Sequence, residues 1–169
     1  GLFCIQMAKL SGAGKIIVTG TNVDQKRLQT AEKLGADITI NSQSTDAVKI
    51  VMEQTGGLGA DLIVDCAGSS ITLKQSLEMV RRLGQITKIG WGPKPVDFSI
   101  DLLLTKSATL QGTYGHHWSI WNQVLKLTSQ GSVDIKSLIS DELPISEWEK
   151  GYNMVESREG VKVILTPVG

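Results

Sequence analysis

Net charge is the first thing this chain lacks: 17 Lys and Arg residues are matched by 17 Asp and Glu residues, with no basic run among them. Without a basic patch, nucleic acid is not an expected partner. Cysteine is scarce. Cys4 and Cys66 are the only two, too few for a disulfide framework or a thiolate metal site, so a reducing, cytoplasmic setting is expected. No apolar run approaches the ~18 residues that would cross a bilayer, and no leader segment is recognisable. Histidine occurs only as His116-His117. Adjacent side chains diverge and no carboxylate cluster accompanies them, so a strand-end loop is expected there and no metal site. The sequence also lacks a complete G-x-G-x-x-G. Gly12-Ala13-Gly14 runs into Lys15-Ile16-Ile17, and Ile16 stands where a P-loop needs Ser or Thr.

Glycine, in contrast, is plentiful. Eighteen glycines in 169 residues suit a fold of many tight strand-to-helix turns, and 41% hydrophobic residues suit a globular domain with a real core. The pattern alternates. Residues 1–10 form an apolar helix, 15–20 a β-branched strand, 24–34 a helix with Leu28, Ala31 and Leu34 at helical spacing, and 38–40 a strand. Ser44 or Thr45 can cap a helix reaching Gln54. Residues 61–66 are a strand, and Ser69 or Ser70 caps a helix through Leu83. Strands follow at 84–90 and 108–114, helices at 118–130 and 145–155, and a last strand at 161–165. Strands alternating with helices imply right-handed βαβ crossovers, hence a doubly wound parallel α/β sheet. In such sheets ligands bind beyond the carboxyl ends of the strands.

Several runs, taken in order, carry a family resemblance: Gly1-Leu2, Ala8-Lys9, Lys15-Ile16-Ile17-Val18-Thr19, Arg27-Leu28 and Leu34-Gly35-Ala36-Asp37. Gly59 through Gly68, Gly84-Gln85-Ile86, Leu110-Gln111-Gly112, Leu138-Ile139-Ser140 and Lys162 through Leu165 continue it. Together they resemble the medium-chain zinc-dependent alcohol and polyol dehydrogenases, nearest the sorbitol- and threonine-dehydrogenase branch. The resemblance implies a Rossmann sheet that lacks its first strand here, because Gly1 matches the last glycine of the dinucleotide fingerprint. Strands 15–20 and 61–66 are then expected to show unpaired edges. Residues 1–118 would be the NAD(P)-binding domain, and 119–169 a segment packing with a catalytic domain outside this chain. That domain would hold the zinc, so no catalytic or metal-binding residue is assigned here.

The resemblance also implies a cofactor path. Gly1 and Leu2 open a helix whose free N–H groups face the pyrophosphate. Gly20-Thr21-Asn22 end the next strand, where NAD enzymes carry a carboxylate for the ribose hydroxyls. Its absence, with Lys26 and Arg27 nearby, leans slightly to NADP over NAD. Asp24 reads as a helix cap. Cys66-Ala67-Gly68 and Ile89-Gly90-Trp91 should border the adenosine and nicotinamide ribose. Thr113 and Tyr114 match the segment facing the nicotinamide amide, and Lys162 a basic position reaching the pyrophosphate. The implied reaction is reversible hydride transfer between a secondary alcohol or polyol and NAD(P). The alternatives are a non-catalytic nucleotide-binding module, a zinc-free quinone-reductase-like enzyme of the same superfamily, and a methyltransferase. The last would need an acidic residue after its second strand, which is missing. The poorly guarded strand 108–114 is expected at a sheet edge, joining subunits into a homodimer or a pair of dimers.

Overall fold

A computed structural model describes residues 1–92 and 94–167. The chain divides into two compact units. All strand pairing among the described residues is parallel, as the alternation of strands and helices requires.

The first unit comprises Gly1 and residues 42–116. It contains α3 (Ala47–Gln54), β3 (Ala60–Asp65), α4 (Ser70–Met79), β4 (Val80–Lys88), α5 (Asp101–Lys106) and β5 (Thr109–Gly112). Its sheet runs β3-β4-β5. Leu73 and Leu77 sit one helical turn apart on α4, and they bury themselves against Val80 and Ile86 of β4. Ile63, Phe98, Leu103 and Ala108 pack around that cluster. The ammonium of Lys106 donates to the carbonyls of Leu77, Glu78 and Val80 at 2.8, 2.7 and 2.7 Å, satisfying orphan carbonyls at the end of α4.

The second unit comprises residues 2–41 together with the chain from His117 onward. It holds α1 (Leu2–Leu10), β1 (Ile17–Gly20), α2 (Gln25–Lys33), β2 (Ile38–Asn41), α6 (Trp118–Ser129), β6 (Asp141–Pro144), α7 (Trp148–Glu156) and β7 (Val163–Thr166). β1 pairs β2, and β6 pairs β7. Ile5, Ile16, Ala31, Leu34 and Leu138 form its core, with Leu2 and Val18 against them. Buried Gln6 acts as a backbone mimic: its amide donates to the Asp134 carbonyl at 3.0 Å and its oxygen accepts from the Asp134 N–H at 2.7 Å.

Several sequence expectations need correction. The cap of α3 is Asp46, which accepts from the Lys49 N–H at 3.0 Å, and not Ser44 or Thr45. Helix α4 stops at Met79 and not at Leu83. Val80 is β-branched and 1% exposed, and it goes extended to pair with Ala60. The register then jumps from Ala60↔Val80 to Leu62↔Gln85, and Leu83 sits in the bulge with φ 57°. Helix α5 and strand β6 had no counterpart in the reading of the sequence. As expected, β1 and β3 are each an outer strand of their own sheet.

Candidate functional site

In the first unit the carboxyl ends of β3, β4 and β5 come together, carrying residues 66–68, 89–91 and 113–114. What shapes this ledge is main chain. Gly68 has φ +75°, and a Cβ there would stand 2.6 Å from the Gly90 carbonyl oxygen. A Cβ on Gly90 would stand 2.7 Å from the Ala67 carbonyl carbon, and one on Gly92 would overlap the Gly68 carbonyl oxygen. Two turns thus press backbone against backbone with no room for side chains between them. The N–H groups of Ile89 and Gly90 both donate to the Asp65 carbonyl at 2.9 Å, and the Thr113 N–H donates to the Lys88 carbonyl at 3.2 Å. Two aromatic rings stand out from the ledge. Trp91 and Tyr114 meet edge to face, with centroids 5.8 Å apart at 70°, and both are largely exposed.

Beneath the ledge lies Asp65, 4% exposed. Its Oδ1 accepts from the Ala67 N–H at 3.1 Å, the Gly68 N–H at 3.0 Å and the Thr72 hydroxyl at 3.1 Å. The register sets Asp65 opposite Lys88. The Lys88 ammonium lies 3.5 Å from Asp65 Oδ2 and donates to the Gly90 carbonyl at 2.8 Å. The sequence reading left out Asp65, Lys88 and Thr72. The signal was there: an apolar strand ending in aspartate immediately before Cys66-Ala67-Gly68 places a carboxylate under a turn rich in free N–H groups.

In the second unit the end of β1 is built from side chains. Asp24 accepts from the Thr21 N–H at 3.0 Å and the Thr21 hydroxyl at 2.6 Å. It also accepts from Arg27 at 3.2 Å, with Arg158 at 3.8 Å. Partial burial raises its carboxyl, but the Thr21 bonds, Arg27 and Arg158 outweigh that and hold it below 3.8. Asp24 is positioned as the cap of α2, but its side chain caps none of that helix's N–H groups and bends back to Thr21. Arg27 is committed as well, donating to the Gly160 carbonyl at 3.1 Å. A groove of about 240 Å³ runs past Val23, Lys26, Arg27 and Arg158. Gly20 is tightly packed, a Cβ there standing 3.0 Å from Leu28 Cδ2, and Asn22 is exposed.

The remaining predicted residues are placed individually. Lys162 is exposed just before β7 and is not part of the groove's lining; its carbonyl accepts from the Ser140 N–H at 2.9 Å. Leu2 begins α1, half-buried against that unit's core. Gly1 is exposed, with nothing within 4 Å of where a Cβ would be. Among the described residues no three His, Cys, Asp or Glu side chains converge as a metal would require, so no zinc site can be built from them. Glycine turns at parallel strand ends do fit a dinucleotide, which lies against backbone at this place in a sheet.

Parallel strands with helical crossovers and a glycine ledge at their carboxyl ends define an α/β chain of Rossmann type. A model of the family described as zinc-binding dehydrogenase matches residues 1–130, and the chain belongs to that family. Sorbitol dehydrogenase of Halalkalibacterium halodurans is 35% identical over 169 residues, covering 99% of this chain and 49% of that enzyme. L-threonine 3-dehydrogenase of Bacillus subtilis is 34% identical, with 99% and 48% covered. Among solved structures, an alcohol dehydrogenase from a Thermus species superposes with a TM-score of 0.90 at 30% identity, with 99% and 48% covered. One from Thermotoga maritima gives 0.88 at 33% identity, with 99% and 47% covered. The chain spans about half the length of the relatives it matches.

Proposed function

We propose that this chain is the dinucleotide-binding part of an oxidoreductase that moves hydride between a secondary alcohol or polyol and NAD(P). The observation that carries the reading is the ledge of residues 66–68 and 89–91, where bare main chain meets bare main chain at the strand ends. The sorbitol and L-threonine 3-dehydrogenases among its relatives support the substrate class. The nicotinamide, when bound, supplies the hydride acceptor or donor. This chain's own residues bind and orient it. The turns at Cys66-Ala67-Gly68 and Ile89-Gly90-Trp91 offer backbone to the riboses, and Thr113 and Tyr114 offer main chain to the amide. The free N–H groups at the amino end of the helix begun by Gly1 and Leu2, and separately the exposed Lys162, are groups able to take a pyrophosphate. Trp91 and Tyr114, exposed and edge to face on the ledge, offer an apolar surface against which the nicotinamide can lie.

Residues 1–118 serve as the cofactor domain in this reading, and 119–169 pack with a catalytic domain that carries the zinc of the family. The 2′-phosphate of NADP is favoured over the bare hydroxyl of NAD. Gly20 gives the strand end no carboxylate, Asp24 is consumed by Thr21 and Arg27, and Lys26 stands exposed beside them without an ion pair among the described residues. Subunits pair through β5, an outer strand of its sheet whose four residues are all exposed, giving a cytoplasmic homodimer or tetramer. No helix among the described residues is long and apolar enough to cross a membrane.

The test is calorimetry of the full-length protein with NADP and NAD, followed by polyol-dependent reduction of whichever binds. Binding of either, with NADP tighter, is the expected result. Binding of neither overturns the reading. A tenfold preference for NAD, ~1.4 kcal/mol, overturns the role given to Lys26.

A further inference from the structure

Asp65 is the most buried carboxylate of the first unit and does not touch the surface on which the cofactor is proposed to lie. Its main-chain carbonyl anchors Ile89 and Gly90, while its Oδ1 anchors Ala67, Gly68 and Thr72. One residue therefore ties both turns of the ledge, and α4 as well. Its Oδ2 is buried without a hydrogen bond among the described residues, and its ion-pair partner is the Lys88 ammonium at 3.5 Å. Lys88 in turn holds the Gly90 carbonyl. The chain of contacts thus runs from Gly68 through the carboxylate and the ammonium to Gly90.

Glycine turns carry the largest conformational freedom of any backbone. Here the side-chain contacts that fix Gly68 relative to Gly90 all pass through this pair. A buried carboxylate with an unsatisfied oxygen costs stability unless its charge is matched, and apolar side chains at both positions would remove that cost but could not accept from the Ala67 and Gly68 N–H groups that shape the turn. The charged pair is explained if its benefit lies in the shape of the ledge rather than in folding.

We propose that Asp65 and Lys88 are positioning residues for dinucleotide binding: they hold turns 66–68 and 89–91 in the binding arrangement before the cofactor arrives. Preorganisation of this kind appears in affinity, because a loose ledge must be ordered at the moment of binding. This inference rests on the function proposed above.

The experiment uses the full-length protein and three variants: Asp65→Asn, Lys88→Met and Lys88→Arg. Asn keeps an oxygen for the turn N–H groups but removes the charge. Met keeps the stem of Lys88 and removes the ammonium. Arg retains a cation able to bridge carboxylate and carbonyl. Calorimetry with NADP and NAD is run beside thermal unfolding without cofactor and steady-state kinetics. The expected result is a tenfold loss of dinucleotide affinity in Asp65→Asn and Lys88→Met, and recovery to within threefold in Lys88→Arg. The KM for dinucleotide rises in step, while kcat at saturating dinucleotide changes less than threefold. If both variants bind within twofold of wild type, or only their melting temperatures fall, the inference is overturned and the proposed function stands. If Asp65→Asn fails to fold, Lys88→Met decides alone. If wild type binds neither dinucleotide, both fall together.

Discussion

Two turn regions at strand ends of this molecule solve the same local problem in opposite ways. After β3 and β4, the chain turns on glycines packed main chain to main chain, with a buried carboxylate below them. After β1, the turn of residues 20–24 is held by exposed and half-exposed side chains: Thr21, Asp24, Arg27 and Arg158. The difference teaches how each responds to change. A backbone contact has no side chain to trade, so it does not tolerate substitution, and salt does not screen it. A surface charge network can be diluted by salt, titrated by acid and rebuilt by substitution at modest cost.

The contrast predicts a ranking of effects. Gly68→Ala should be the most damaging, since the new methyl meets the Gly90 main chain and the residue keeps φ +75°. Overpacking and left-handed strain together should cost about 3 kcal/mol, read as a drop in the denaturant midpoint. A loss below about 1 kcal/mol would mean that the two turns can separate without penalty. Asp24→Asn should cost less, about 1 kcal/mol. Because the folded pKa of Asp24 lies below 3.8, its contribution is complete above pH 3.8 and is lost as pH falls through the folded value. The gap between wild type and Asp24→Asn should accordingly close in acid, while the cost of Gly68→Ala stays constant. Parallel pH dependence of the two variants would erase the distinction between the strand ends. Lys26→Ala should change stability least and act on selectivity alone. NADP affinity should fall about threefold to fivefold, under ~1 kcal/mol as an exposed charge allows, with NAD affinity unchanged. Equal loss for both dinucleotides would move Lys26 away from the 2′-phosphate.

The two turn regions were not equally legible in the sequence. Gly68 and Gly90 follow clear β-branched strands, so their place at strand ends followed from periodicity, and the family likeness gave them a role. Gly20-Thr21-Asn22 was equally easy to locate. What could not be read was that Asp24 folds back on Thr21 and recruits Arg27, because a carboxylate four residues past a strand end fits a helix cap just as well. Asp65 was hidden by its neighbours: within Leu62-Ile63-Val64-Asp65-Cys66 it reads as the polar end of an apolar run. Its partnership with Lys88 depends on strand register, which no local pattern specifies. The early end of α4 has a similar cause. Residues 80–83 continue its helical pattern, and the pairing of Val80 with Ala60 decides against it. Strand β6 carries Asp141, Glu142 and Pro144, which disfavour a strand by propensity, yet it pairs with β7 along its length.

The central claim is that the glycine ledge of the first unit is where a nicotinamide dinucleotide lies. Hydrogen exchange of the full-length protein, with and without saturating NADP, tests it most directly. Amides in residues 66–68, 89–91 and 113–114 should slow together on binding, and those of α5 should not change. Binding that leaves these three segments exchanging as before, or that slows a different set, would contradict the account.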